Sequence, residues 1–314
     1  MQTFLHHFAL AAPLFILVFV GYGLQRWGHW PKTVADALSR FVFSIALPAL
    51  LFHMMSDLSR LPPVDARLLI AFFGSCLIVF VVGRLLAWRV FRLDGVGQSV
   101  FALGGVFSNN VLLGLPLAKA TLGDAALPSV ALVLVFNALT LWTLVTVSVE
   151  WSRHGALSLA GFAKTARSVL TNPIVASILA GTLFGLSGLG LPDFVAAPLQ
   201  MTAQAAAPLA LIALGMSLAE YGLRAGWQQA AAIVGLKLLL QPLVVWGLAI
   251  LLDLPPMETR VVVLLGSLAV GVNVYLMSKQ FQTLEAPVAS SMVLSTLFAA
   301  VTTPLFLALT GAQP

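Results

Sequence analysis

Charge is what this chain has least of. Of its 314 residues only 9% are Asp, Glu, Lys or Arg, while 60% are hydrophobic and the mean hydropathy is +1.01. A soluble domain carries about 25% charged and about 45–50% apolar residues. Too few charges remain to coat a water-facing surface of this size. That excludes a soluble globular enzyme, a nucleic-acid binder and a disordered chain. Cysteine is represented by Cys76 alone, inside an apolar run, so no intrachain disulfide can form. No GxxxxGK[ST] phosphate loop is present, so nothing links the chain to ATP. No Asp or Glu falls at the centre of the fourth, fifth or ninth apolar stretch. Asp57, Asp124 and Glu258 lie near stretch ends, as does His53. A cation/proton antiporter, the nearest alternative by architecture, needs a buried carboxylate as relay.

What is present is apolar sequence in long runs. Ten stretches are read at roughly 8–25, 34–55, 68–88, 98–120, 127–149, 171–188, 196–219, 227–252, 258–280 and 287–309. A bilayer span needs about 20 apolar residues, so these fill the chain with short loops between them. In lipid each backbone N–H must be satisfied inside its own segment, which makes the runs helices. They are too long and too uniformly apolar for barrel strands, which alternate. The expected class is therefore an all-α integral membrane protein in the lipid bilayer, with no cofactor and no metal. The first run has no Lys or Arg before its apolar part, and Arg26 follows it, the wrong polarity for a secretory signal.

The net charge of +5 and the pI near 9.8 come from basic residues at the ends of apolar runs. Scattered in that way they set membrane orientation and leave no nucleic-acid patch. The loops after helices 1, 3, 5, 7 and 9 hold eleven: Arg26, Lys32, Arg40, Arg84, Arg89, Arg92, Arg153, Lys164, Arg167, Arg224 and Lys279. The opposite side holds four, Arg60, Arg67, Lys119 and Arg260. The richer side is expected in the cytoplasm of an inner (plasma) membrane protein, with both termini periplasmic or extracellular.

The longest loop separates two groups of five helices: residues 1–150, a cytoplasmic linker over 151–170, and residues 171–314. At a shift of 160 residues Pro13 falls on Pro173, Gly21 on Gly181 and Pro48 on Pro208, and all five spans superpose. Five is odd, so the second half enters from the opposite face. Such inverted repeats are the build of many secondary transporters, whose sites lie at broken helices near the midplane. Pro48 and Pro208, near mid-span, are candidate hinges or kinks. Pro13 and Pro173 read as helix-start prolines.

The fourth stretch carries Asn109 and Asn110 at mid-span, with Gly114 and Pro116 close behind. Proline has no N–H and clashes with the carbonyl four residues back. Buried asparagines need partners, so this is the first candidate break, its amides facing a cavity or a solute. The ninth has Gly271 and Asn273 at its middle but no proline. Lys237 lies about ten residues into the eighth stretch, with no acid in that stretch, and Gln241 shares its face one turn on. A buried lysine marks a candidate partner for an anionic solute. The letters GLSG at 185–188 hint at a serine nucleophile, but Ser187 sits at a helix end before Gly190 and Pro192, with no deep histidine as base. No enzyme is expected.

The segments FSIALPALLF (43–52), SNNVLLGLPL (108–117), TNPIVASILAG (171–181), APLALIALGMSL (207–218) and STLFAAVTTPL (295–305) cover nearly the whole chain. Through them it resembles the auxin efflux carrier family, which includes bacterial malonate-type carriers and is related to plant auxin exporters. The resemblance implies ten helices in two inverted five-helix repeats, with broken helices 4 and 9 crossing beside the substrate. It places Asn109, Asn110, Gly114 and Pro116 at the first crossover and Gly271, Val272 and Asn273 at the second. It implies a small organic anion as substrate, elevator-type motion, and helices 1, 2, 6 and 7 as scaffold and homodimer surface. A proton or a sodium ion is the candidate coupling ion. The long central loop of many plant members is missing here. The expected function is a secondary transporter of a malonate-like or auxin-like carboxylate. A membrane ligand sensor without flux is the alternative from another class.

Overall fold

An apolar run in lipid has no water to bond its backbone, so it closes its own N–H···O=C bonds as a helix. The computed structural model describes residues 2–56, 64–154, 173–221 and 226–311. In it the helices are α1 (Gln2–Arg26), α2 (Lys32–Met55), α3 (Arg67–Arg89), α4a (Gly95–Gly104), α4b (Asn110–Leu122) and α5 (Leu127–His154). After them come α6 (Pro173–Leu186), α7 (Asp193–Tyr221), α8 (Trp227–Leu251), α9a (Pro256–Ser267), α9b (Val272–Gln280) and α10 (Glu285–Gly311). Six of these, α1, α2, α3, α7, α8 and α10, are long and apolar enough to cross a bilayer. The linker expected over 151–170 lies, from residue 155 on, outside the described residues, as do Arg60, Lys164, Arg167 and Arg224.

The helices sort into two groups by packing. In one, α1 lies along α7, α2 along α6, and α7 also packs on α2. In the other, α3 packs on α4a and α8, α4a on α5, α8 on α9a and α10, and α9a on α10. The groups meet where α1 touches α10 and α4b. Glycines permit the close crossings of the first group, as small residues do between helices in lipid. A side chain at Gly21 would run into the backbone of Ile212, and one at Gly215 into that of Val18. Gly181 faces the Phe52 carbonyl in the same way, 2.8 Å from where its Cβ would stand. Both members of the Gly21–Ile212 contact map onto the Gly181–Phe52 contact at the 160-residue shift.

Prolines shape three helices by one device. A turn widened to five residues ends two residues before each: Val42–Ala46 before Pro48, Asn110–Gly114 before Pro116, and Leu236–Leu240 before Pro242. In each, the residue preceding the proline donates five residues back, Leu47 to Val42, Leu115 to Asn110 and Gln241 to Leu236. The extra residue gives the proline ring room that a regular turn denies it. Pro208, the shift partner of Pro48, differs: α7 runs through it as continuous α-helix.

Candidate functional site

The fourth and ninth stretches are both interrupted, and the interruptions cross. Residues 105–109 leave helix between α4a and α4b, and 268–271 do so between α9a and α9b. They pair as an antiparallel bridge at Ser108 and Val270. The Asn109 N–H donates to the Ala269 carbonyl at 3.0 Å, and the Gly271 N–H to the Phe107 carbonyl at 2.8 Å. The Val270 N–H donates to Ser295 Oγ on α10 at 3.0 Å. These bonds satisfy backbone groups that no helix serves at this depth. Gly271 suits the close approach, since a Cβ there would lie 3.0 Å from the Ser108 carbonyl oxygen and 3.1 Å from the Phe107 ring.

The first interruption lies at 105–109, upstream of the place that Gly114 and Pro116 suggest. The proline is absorbed by the wide turn. The chain leaves helix earlier because the Phe107 carbonyl and the Asn109 N–H find partners across the crossing. Gly114 serves packing: a Cβ there would meet Leu268 at 2.7 Å and Leu265 at 3.1 Å.

Two half-helices start at the crossing, α4b after Asn109 and α9b after Gly271, and two end there, α4a and α9a. The first N–H groups of a helix have no acceptor within it and carry the positive end of its dipole. Beside the two starts lie three buried side chains: Ser108, Asn109 and Asn110 are 2%, 6% and 1% exposed. Ser108 Oγ, Asn109 Nδ2 and Asn110 Oδ1 have no hydrogen-bond partner. Each such buried group costs about 1–3 kcal/mol. The remaining half of Asn110 is held, its Nδ2 donating to Asn137 Oδ1 on α5 at 3.4 Å.

The end of α9a is held by side chains from two neighbours. Lys237, on the wide turn of α8 and fully buried, donates through Nζ to the Gly266 carbonyl. Thr303 on α10 donates to the Ser267 carbonyl at 2.9 Å. Gln241 turns to α3, its Nε2 donating to Ser75 Oγ at 3.1 Å and to Cys76 Sγ at 3.4 Å, and its Oε1 is left without a partner.

Of the residues expected at the site, Asn109, Asn110, Gly271 and Val272 meet at the crossing. Asn273 follows on the first turn of α9b, half-buried. Gly114 and the buried Pro116 lie behind it on α4b. Lys237 reaches it through Gly266, and Gln241 is one step removed. Pro48 and Pro208 stand in the other helix group. Sequence reading missed Ser108, Asn137, Ser295 and Thr303. Asn137 had a signal, a single amide inside the apolar run LVLVFNALTLW; the hydroxyls had none, because Ser and Thr are common in such helices.

A multi-pass helical membrane protein opened at its middle by two interrupted helices has the build of a solute carrier. From residue 6 to residue 307 the chain matches the family described as membrane transport protein, and it belongs to that family, the one of the auxin efflux carriers. Over 310 residues it is 28% identical to a Rhizobium meliloti protein named "putative malonate transporter", covering 97% of each chain. It is 26% identical over 292 residues to an uncharacterized transporter of Methanocaldococcus jannaschii, 90% of this chain and 92% of that one. Auxin efflux carrier component 6 of Arabidopsis thaliana is 31% identical over 116 residues, which is 36% of this chain and 20% of the plant protein.

Proposed function

We propose that the chain is a secondary carrier of a small organic anion of the malonate class, bound at the crossing of α4 and α9. The observation that carries this reading is the pair of buried, unpartnered donors, Ser108 Oγ–H and Asn109 Nδ2, beside two half-helix starts. A carboxylate accepts hydrogen bonds from amides and backbone N–H groups and is stabilised by the positive ends of α4b and α9b. Each helix end is worth about half an elementary charge, so two starts and two ends roughly cancel. Lys237 donates to the Gly266 carbonyl at the end of α9a and so covers part of that end's negative pole. Its role is to neutralise the carbonyl end of a half-helix, so that the crossing favours an anion, while Gln241 fixes α8 to α3. Asn273, Val272, Gly114 and Pro116 belong to the same site.

The architecture in this reading is two inverted five-helix repeats, 1–150 and 171–314, joined by the 151–170 linker. The paired contacts Gly21–Ile212 and Gly181–Phe52 support it, because a two-fold relation between the halves interconverts them. The group of α1, α2, α6 and α7 acts as scaffold and homodimer surface, and the rest moves against it as an elevator, with Pro48 and Pro208 as flex points. The exposed apolar side chains of α6 and α7, such as Leu183, Phe194 and Met201, suit a lipid or subunit contact. Both termini lie outside the inner membrane.

The test is uptake of radiolabelled malonate into proteoliposomes, with proton and sodium gradients imposed in turn. The wild type accumulates label, and Asn110→Ala loses at least tenfold in rate while its thermal midpoint in detergent stays within a few degrees. Binding of malonate with no flux under any gradient points to a sensor. Uptake near wild type in both Asn109→Ala and Asn110→Ala removes the crossing from the site.

A further inference from the structure

A second cluster of nitrogen donors lies away from the crossing, where the start of α1, the first turns of α9a and the end of α10 meet. His7 on α1 and Arg260 on α9a converge on Gly311. A Cβ at Gly311 would stand 3.9 Å from Arg260 Nη2 and 3.9 Å from His7 Nε2. The two nitrogens are therefore at most 7.8 Å apart. The His6 ring lies 5.6 Å from that of His7. His7 Nδ1 and Arg260 Nε are both shielded from solvent and without a hydrogen-bond partner. Arg260 makes no ion pair among the described residues; Glu258 on the same helix is turned to the backbone N–H of Asp65, at 3.4 Å. The end of α10 attracts cations through its dipole. Thr310, in its last turn, gives its own hydroxyl to the carbonyls of Phe306 and Leu307, at 3.1 and 3.0 Å.

We propose that His7 and Arg260 form a second oxyanion site, separate from the crossing, that takes a carboxylate or phosphate group. The guanidinium fork matches the two oxygens of such a group, and the imidazole supplies a further donor from the opposite side. Arg260 and the broken end of α9a are seven residues apart, roughly 10 Å along the helix. An anion held here would sit one short step from the crossing. His7 belongs to the α1 group and Arg260 to the α9 group, so a shared oxyanion bridges the two and favours the conformation in which they are adjacent. The oxyanion comes either from dissolved solute or from an anionic lipid headgroup at the membrane surface.

The experiment uses the full chain carrying Asn110→Ala, so that failure of the crossing reading leaves this one open. Binding of labelled malonate and of labelled inorganic phosphate is measured in detergent, and retained phosphatidylglycerol is counted by native mass spectrometry. If the source is dissolved solute, malonate or phosphate binds and both R260Q and H7Q weaken it about tenfold. If the source is lipid, soluble anions have no effect and phosphatidylglycerol retention falls by half or more in both variants. H7Q stands in if R260Q fails to fold. Unchanged soluble binding and unchanged lipid retention in a folded variant overturn the proposal.

Discussion

Asn110 joins two roles in one side chain. Its Nδ2 is held by Asn137 at 3.4 Å and its Oδ1 is unpartnered. Asn137 fixes the orientation of that amide beside the crossing, so Asn137→Leu acts through Asn110. We expect Asn137→Leu to lower malonate uptake about tenfold and the Asn110→Ala/Asn137→Leu pair to do no worse than Asn110→Ala alone. Additive losses in this double-mutant cycle, measured in proteoliposomes, exclude the coupling. The asparagine pair at 109 and 110 was legible in the sequence because amides are costly in lipid without partners. The use of Lys237 was not. A buried lysine in sequence points equally to a solute and to a carbonyl, and only its distance to Gly266 distinguishes them.

At the scale of elements, helix existence followed from apolar run length, and the expected edges fall within about three residues of α2, α3, α7, α8 and α10, while α1 starts earlier than expected, at Gln2. The interruption of α9 was harder to read. No proline marks it, and Asn273 lies beyond the break. The cause is long-range: α9 opens because α4 pairs with it, the Gly271 N–H finding the Phe107 carbonyl at 2.8 Å. Glycine at 271 is what lets the two backbones approach. Gly271→Val is expected to push the strands of the crossing apart, at a cost of about 1–3 kcal/mol for overpacking. The readouts are a lowered thermal midpoint in detergent and loss of malonate uptake. A midpoint and uptake both equal to wild type contradict the close approach.

For the whole molecule, orientation rests on the eleven basic residues counted on one side against four on the other. With Cys76 replaced by serine, a cysteine at Asp253, after α8, is expected to react with a membrane-impermeant maleimide from outside intact cells. One at Gln282, after α9b, is expected to react only after permeabilisation. Both positions lie in short described turns. The reverse labelling pattern inverts the topology. The same pattern on both sites would place α9b on the wrong side and break the repeat.

The sequence by itself determined that the chain is helical and membrane-embedded, because an apolar run without water has one way to satisfy its backbone, and that is a local matter. It also marked the asparagine segment, since polar cost in lipid is visible residue by residue. Which backbones come within reach of each other was decided by tertiary structure alone. The crossing of α4 and α9, the hold of Lys237 on Gly266, and the meeting of His7 with Arg260 all join residues distant in the chain. Their hydrogen bonds and close approaches depend on positions that no local pattern encodes.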